Sequence, residues 1–201
     1  MHSRTESTLI PPNPARAPNY WCTWGAQNYM YGDNSKYLDA KVLEGESGSK
    51  IARGEMKEEY VFGPQGWATT FFPKVHQDLY FLFDSGWEIG GNSTFDLDTQ
   101  KFPSFLGDPE IRLRRLNNSI LNKGWRGAAL WCRSTSGGDA DVPLVARSQN
   151  ACIYYWEIDG GDLSFHIDHI RNELGASFTI EHIYREHPLN GDWRKDGRFE
   201  I

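Results

Sequence analysis

The chain has 201 residues and a mass of 23.0 kDa, enough for one sizeable domain or for part of a larger one. Apolar residues make up 39%, mean hydropathy is -0.61, and no stretch approaches the roughly 20 apolar residues of a membrane span. The formal charge of -6 comes without acidic or basic blocks, so the chain carries no electrostatic footprint for nucleic acid.

Met1 to Arg16 is polar and proline-rich and lacks the apolar centre of a signal peptide. Residues 1–18 therefore read as a disordered lead-in, 19–201 as the folded part, and the chain as written as cytoplasmic. The first apolar run, Tyr20–Trp24, reads as a strand. The long polar segment from Gly32 to Lys74 holds a helix expected around Ser49 to Glu59 and a loop through Gly63-Pro64-Gln65-Gly66. A second strand follows at Leu79–Phe83. Asp108 then offers an N-cap with Pro109 at the first helical position, Leu113, Leu116 and Ile120 share one face, and Lys123-Gly124 is the stop. Strands are expected next at Gly127–Trp131 and Cys152–Ile158. A further helix is expected after Asp162, capped by Ser164, striped by Ile167, Ile170 and Leu174, and ended by Gly175. The last strand is Ser177–His182, and Arg185 to Trp193 reads as a long loop.

Most of these strands are continuous apolar runs, as expected of strands covered on both faces, and helical patterns alternate with them. The expected fold class is α/β, with parallel strands joined by crossover helices. Gly160-Gly161 follows a strand, but neither G-x-G-x-x-G nor a P-loop lysine accompanies it, which disfavours an open nucleotide-binding sheet. Charged and aromatic residues fall instead at the strand ends: Trp24 and Gln27, Asp84, Trp131 and Arg133, Asp159 and Asp162, Glu181 and His182. That is the layout of a (β/α)8 TIM-type barrel, which needs about 250 residues, so the chain reads as an incomplete barrel of about five βα units.

Cys22, Cys132 and Cys152 form no C-x-x-C or Cys-His spacing and read as buried free thiols of predicted strands. Aromatic content is 14% with eight Trp, which serves a core and also suits a cleft that stacks on sugar rings. Asn92-Ser93-Thr94 and Asn117-Asn118-Ser119 match the glycosylation sequon, and without a signal peptide they read as chance matches.

Glycoside cleavage needs two carboxyl groups at such a rim, one attacking or stabilising the anomeric carbon and one protonating the leaving oxygen. Asp159 suits the first role because the run Ile153-Tyr154-Tyr155-Trp156-Glu157-Ile158 delivers it to a rigid strand end. Its alternative role is to cap the turn made by Gly160 and Gly161.

Four motifs recur in order: Phe83-Asp84-Ser85-Gly86-Trp87; Lys101-Phe102-Pro103; Gly124-x-x-Gly127-x-x-Leu130-Trp131; and Tyr155-Trp156-Glu157-Ile158-Asp159. The series, over roughly Asn19 to Asp192, resembles the clan of retaining α-galactosidases with melibiase-like barrels. The resemblance implies that Asp159 is the nucleophile and Asp84 a carboxylate reading sugar hydroxyls. It also implies that Trp24 and Trp131 wall the pocket, and that the acid/base is an aspartate of a sixth strand not reached here. Asp162 and Glu181 are further candidates for substrate contact.

Two positions depart from the clan. Ser85 stands where a second aspartate is usual, and Glu157 stands where the clan has lysine. The expected partner is a carbohydrate, with no cofactor, no nucleic acid and no membrane; the oligomeric state stays open. The function expected is hydrolysis of an α-linked sugar through a covalent glycosyl-enzyme in the complete protein, with the truncated chain expected to be inactive. The alternatives are a non-catalytic carbohydrate-binding relative and a metal-dependent hydrolase built on Asp159, Asp162, His166 and His169.

Overall fold

The computed structural model describes residues 19–31, 48–91, 94–133, 141–159 and 179–183. The lead-in, Asp162, the helix expected after it with His166 and His169, Asn92-Ser93 and the closing loop lie outside the described residues.

Five strands form one sheet: β1 (Tyr20–Cys22), β2 (Tyr80–Phe83), β3 (Gly127–Arg133), β4 (Tyr155–Asp159) and β5 (Thr179–Ile183). Each is parallel to its neighbour, and their order across the sheet is their order in the chain. Among the described residues the strand order therefore does not reverse, and reversal is the feature that places the ligand crevice of an open doubly wound sheet.

Alternation along each strand sorts the side chains onto two faces. Trp21, Phe81, Phe83, Ala128, Leu130, Cys132 and Trp156 belong to the larger core cluster, together with residues of the outer helices. Tyr20, Cys22, Tyr80, Leu82, Ala129, Trp131 and Tyr155 cluster on the opposite face. On that face the Tyr20 and Tyr155 rings meet edge-on with centroids 5.6 Å apart, although their strands are three places apart in the sheet. In a flat sheet three steps of about 4.8 Å would separate them by roughly 14 Å. The sheet is thus strongly curled, and this face is the concave one. Tyr80 meets Tyr155 in the same edge-on way at 5.6 Å, filling the base of the curl.

The α-helices of the described residues are α1 (Thr23–Tyr31), α2 (Gly48–Gly54), α3 (Glu58–Phe62), α4 (Trp67–Thr70), α5 (Pro109–Asn122) and α6 (Asp141–Asn150). The strongest helix signal in the sequence holds. Asp108 caps α5 by accepting a hydrogen bond from the Ile111 amide at 2.9 Å, Leu113, Leu116 and Ile120 are buried, and Gly124 takes a φ of 88° after the last turn. Asn117, part of a formal sequon, is only 2% exposed. Its amide donates to the Cys152 carbonyl at 3.0 Å and its Oδ1 accepts from the Ala128 amide at 2.9 Å. It therefore ties α5 to β3 and to the entry of β4, and a glycan has no access to it.

Four expectations are corrected. The first strand ends at Cys22, so Trp24 lies in the first turn of α1 rather than on a strand end. Thr23 turns the chain there, because its hydroxyl bonds Gln27 one turn on and accepts the Asp84 amide. The helix expected around 49–59 is two helices, α2 and α3, separated by a short break. Helix α6 was not expected; Pro143 occupies its first turn, where a missing N–H costs nothing. The fourth strand begins at Tyr155, because Cys152 adopts a left-handed φ of 62° in the turn closing α6. The Ile153 amide there donates to the Ser148 carbonyl at 2.9 Å, and Cys152 is exposed, not buried.

Candidate functional site

Toward the carboxyl ends of β1, β2 and β4, Cys22, Asp84 and Glu157 form a polar cluster among the described residues. Cys22 is the last residue of β1, Asp84 directly follows β2, and Glu157 is the third residue of β4. One ligand atom from each lies within 4.8 Å of the other two. They come from strands that are not all neighbours, so the curl of the sheet brings them together. Asp84 and Glu157 are each 5% exposed, and Cys22 is half-buried.

The Asp84 carboxylate is held at both oxygens. The Ser85 amide donates to Oδ1 at 2.6 Å, and the Cys22 thiol donates to Oδ2 at 3.0 Å. The turn carrying Asp84 is itself braced. Gly86 takes a φ of 112° with its Cα hydrogen facing the backbone of Arg53, and Lys101 Nζ donates to the Gly86 carbonyl at 2.8 Å and to the Arg53 carbonyl at 3.1 Å. Burial of that ammonium holds its pKa below the usual lysine value, chiefly through desolvation. Trp87 is fully buried and its indole N–H donates to the Trp131 carbonyl at 2.8 Å, locking the turn after β2 onto β3. The Phe83-to-Trp87 and Lys101 motifs thus form one structural unit around Asp84.

No family model, no curated protein and no solved structure matches the chain. The chemistry of the site therefore rests on its geometry.

Of the residues singled out in the sequence, Asp84 is buried at the centre of the cluster. Trp131 is buried on the concave face, and its backbone pairs with Glu157. Asp159 is the last residue of β4, two places beyond Glu157, in register with Arg133 on one side and Ile183 on the other. Glu181 lies in β5 in register with Glu157. Trp24 is half-buried in α1. Asp162 lies outside the described residues.

Sequence reasoning passed over Cys22 and treated Glu157 only as a departure from the clan. The signal for Glu157 was available: it stands two residues before Asp159, so a strand presents both on one face. Cys22 had no such signal, because its contact with Asp84 spans 62 positions. One thiol and two carboxylates in this arrangement are a set of donors able to hold a divalent cation.

As a nucleophile Cys22 is disfavoured. Burial first, then the charges of Asp84 and Glu157 and the hydrogen bond to Asp84, push its thiol far above the ordinary value of 9.0. The folded chain therefore keeps a proton that the unfolded chain releases above about pH 8.5. The unfolded state then binds fewer protons, so this group's contribution to stability is intact below that pH and is lost as pH rises. Urea unfolding between pH 9 and pH 10.5 is expected to show stability falling by up to about 1.4 kcal/mol per pH unit from this group. The variant Cys22→Ser should lack that part of the slope.

Proposed function

We propose that the chain forms the first units of a (β/α) barrel glycoside hydrolase that cleaves an α-linked sugar through a covalent intermediate on Asp159. The observation that carries this reading is the curled, all-parallel sheet in sequential order, with carboxylates and a tryptophan at the carboxyl ends of its strands. That end of a parallel barrel is where substrates bind and react. The ordered motifs from Phe83 to Asp159 support the same reading.

In this reading the Asp159 carboxylate attacks the anomeric carbon as the glycosidic carbon–oxygen bond breaks, and a second carboxyl group protonates the departing oxygen. Water, deprotonated by that same group, then hydrolyses the glycosyl ester and frees Asp159. The proton donor is expected from beyond the five described strands. Asp84 accepts hydrogen bonds from sugar hydroxyls, and Trp131 forms part of the pocket wall. Glu157 replaces a lysine of the clan and adds a hydrogen-bond acceptor where the clan has a donor, so the sugar recognised differs from galactose in its hydroxyl or amine pattern.

Activated fluoroglycosyl fluorides test the nucleophile, because fluoride leaves without needing the proton donor. Incubation with a panel of α-configured reagents is expected to add one fluoroglycosyl unit, mapped by peptide mass spectrometry to Asp159 and absent in Asp159→Asn. No labelling by any sugar of the panel would sink the assignment. Calorimetric binding of a sugar without labelling would favour the second reading, a non-catalytic carbohydrate-binding relative, which the acidic crowding of Glu157 against Asp84 also suits.

A further inference from the structure

Behind Asp84 lies a polar network with no exposure to solvent. Thr23 and Gln27 stand one turn apart at the start of α1, and both are 0% exposed. The Gln27 amide nitrogen donates to two carbonyls, Ala52 of α2 at 3.1 Å and Ser85 at 3.0 Å. That fixes the orientation of the amide, since a flipped one would set its oxygen against both carbonyls. Its Oε1 must then accept from the Thr23 hydroxyl, at 2.9 Å. With its only hydrogen so used, Thr23 Oγ1 turns a lone pair to the Asp84 amide, 2.9 Å away. The chain of bonds runs in one direction and grips the backbone at Asp84 and at Ser85. The Ser85 amide and the Cys22 thiol in turn hold the two carboxylate oxygens.

We propose that Thr23 and Gln27 are positioning residues that set the carboxylate of Asp84 for hydrogen bonding to substrate, an inference that rests on the glycosidase reading for the identity of that substrate. A buried polar network is costly to hold unless every bond is made, and it defines one geometry where an apolar pair would tolerate several. Thr23 and Gln27 touch no substrate themselves; they act through Asp84.

The test needs a readout that follows Asp84 and not stability alone. The S–H stretching band of Cys22 supplies one, since its thiol donates to Asp84 Oδ2. It is recorded by infrared spectroscopy in a Cys132→Ala, Cys152→Ser background. Thr23→Val keeps the side-chain shape but loses both bonds, and is expected to shift the band toward that of a free thiol. Thr23→Ser should restore the original band. Gln27→Met, which keeps the length of the side chain but loses both donors, should shift it as Thr23→Val does, and serves if Thr23→Val fails to fold. An unmoved band in the folded variants overturns the proposal. With the nitrophenyl α-glycoside of each sugar in the fluorosugar panel as probe, Thr23→Val is expected to raise KM about tenfold for the glycoside that is turned over and leave kcat within about twofold, the pattern of lost ground-state binding. If the band shifts as expected but the unaltered protein neither turns over any of these glycosides nor takes the fluorosugar label, the positioning role stands and the glycosidase reading falls.

Discussion

Replacing Trp87 by alanine is expected to cost the fold about 3–5 kcal/mol, the range for deleting a large buried aromatic. Trp87 is fully enclosed, meets the Phe95 ring edge-on with centroids 6.3 Å apart, and donates its indole N–H to the Trp131 carbonyl. Truncation leaves a cavity and also strips a buried carbonyl of its donor. Domains of this size are stable by only about 5–15 kcal/mol, so the loss is a large fraction of the whole. Denaturant unfolding followed by circular dichroism measures it. Trp87→Phe divides the two effects, since it fills most of the cavity but cannot donate; a residual loss of about 1–3 kcal/mol is expected for the orphaned carbonyl. A loss below about 1 kcal/mol in Trp87→Ala would show that the turn after β2 does not depend on this anchor.

Gly86→Ala is expected to be the second severe variant, and it strikes the site directly. The φ of 112° disfavours any side chain, and a Cβ placed there would lie 2.3 Å from the Arg53 carbonyl oxygen and 2.9 Å from the Arg53 Cα. Both are backbone atoms, so no rotation of a side chain relieves the collision, and the turn that carries Asp84 must move. A loss above about 3 kcal/mol is expected, together with displacement of Asp84 from the Cys22 thiol. Gly90→Ala is the control. Its φ of 77° is also positive, but among the described residues the nearest atom to its new Cβ is a Thr94 methyl at 3.9 Å. It should cost only about 1–2 kcal/mol, the ordinary price of left-handed backbone for an L-residue. Equal losses in the two variants would mean that the Arg53 contact is not what requires glycine at position 86.

Much of the architecture was legible because it depends on local rules. The cap and stripe of α5 follow from Asp108, Pro109 and the spacing of Leu113, Leu116 and Ile120, interactions that span at most a few turns. Strands β2 and β3 are apolar runs bounded by Asp84 and by Gly124, and they stand within two residues of their expected limits. The errors arose where a side chain answers to something distant. Thr23 is a good strand residue by propensity, yet it starts a helix while its hydroxyl bonds an amide 61 positions away. Asn117 reads as a sequon, yet its amide joins a helix to β3 and to the turn that leads into β4. Cys152 follows a helix that its own neighbours do not announce, and it is spent on a left-handed turn.

The sequence by itself determined that parallel strands alternate with helices and that acids and aromatics stand at the strand ends, because both are matters of period and order along the chain. Which of those acids meet was decided only by the tertiary structure. The curl of the sheet, visible in the contact of Tyr20 with Tyr155, carries Cys22, Asp84 and Glu157 onto one another from three strands. Curvature is a collective property of packed strands, and no single segment encodes it.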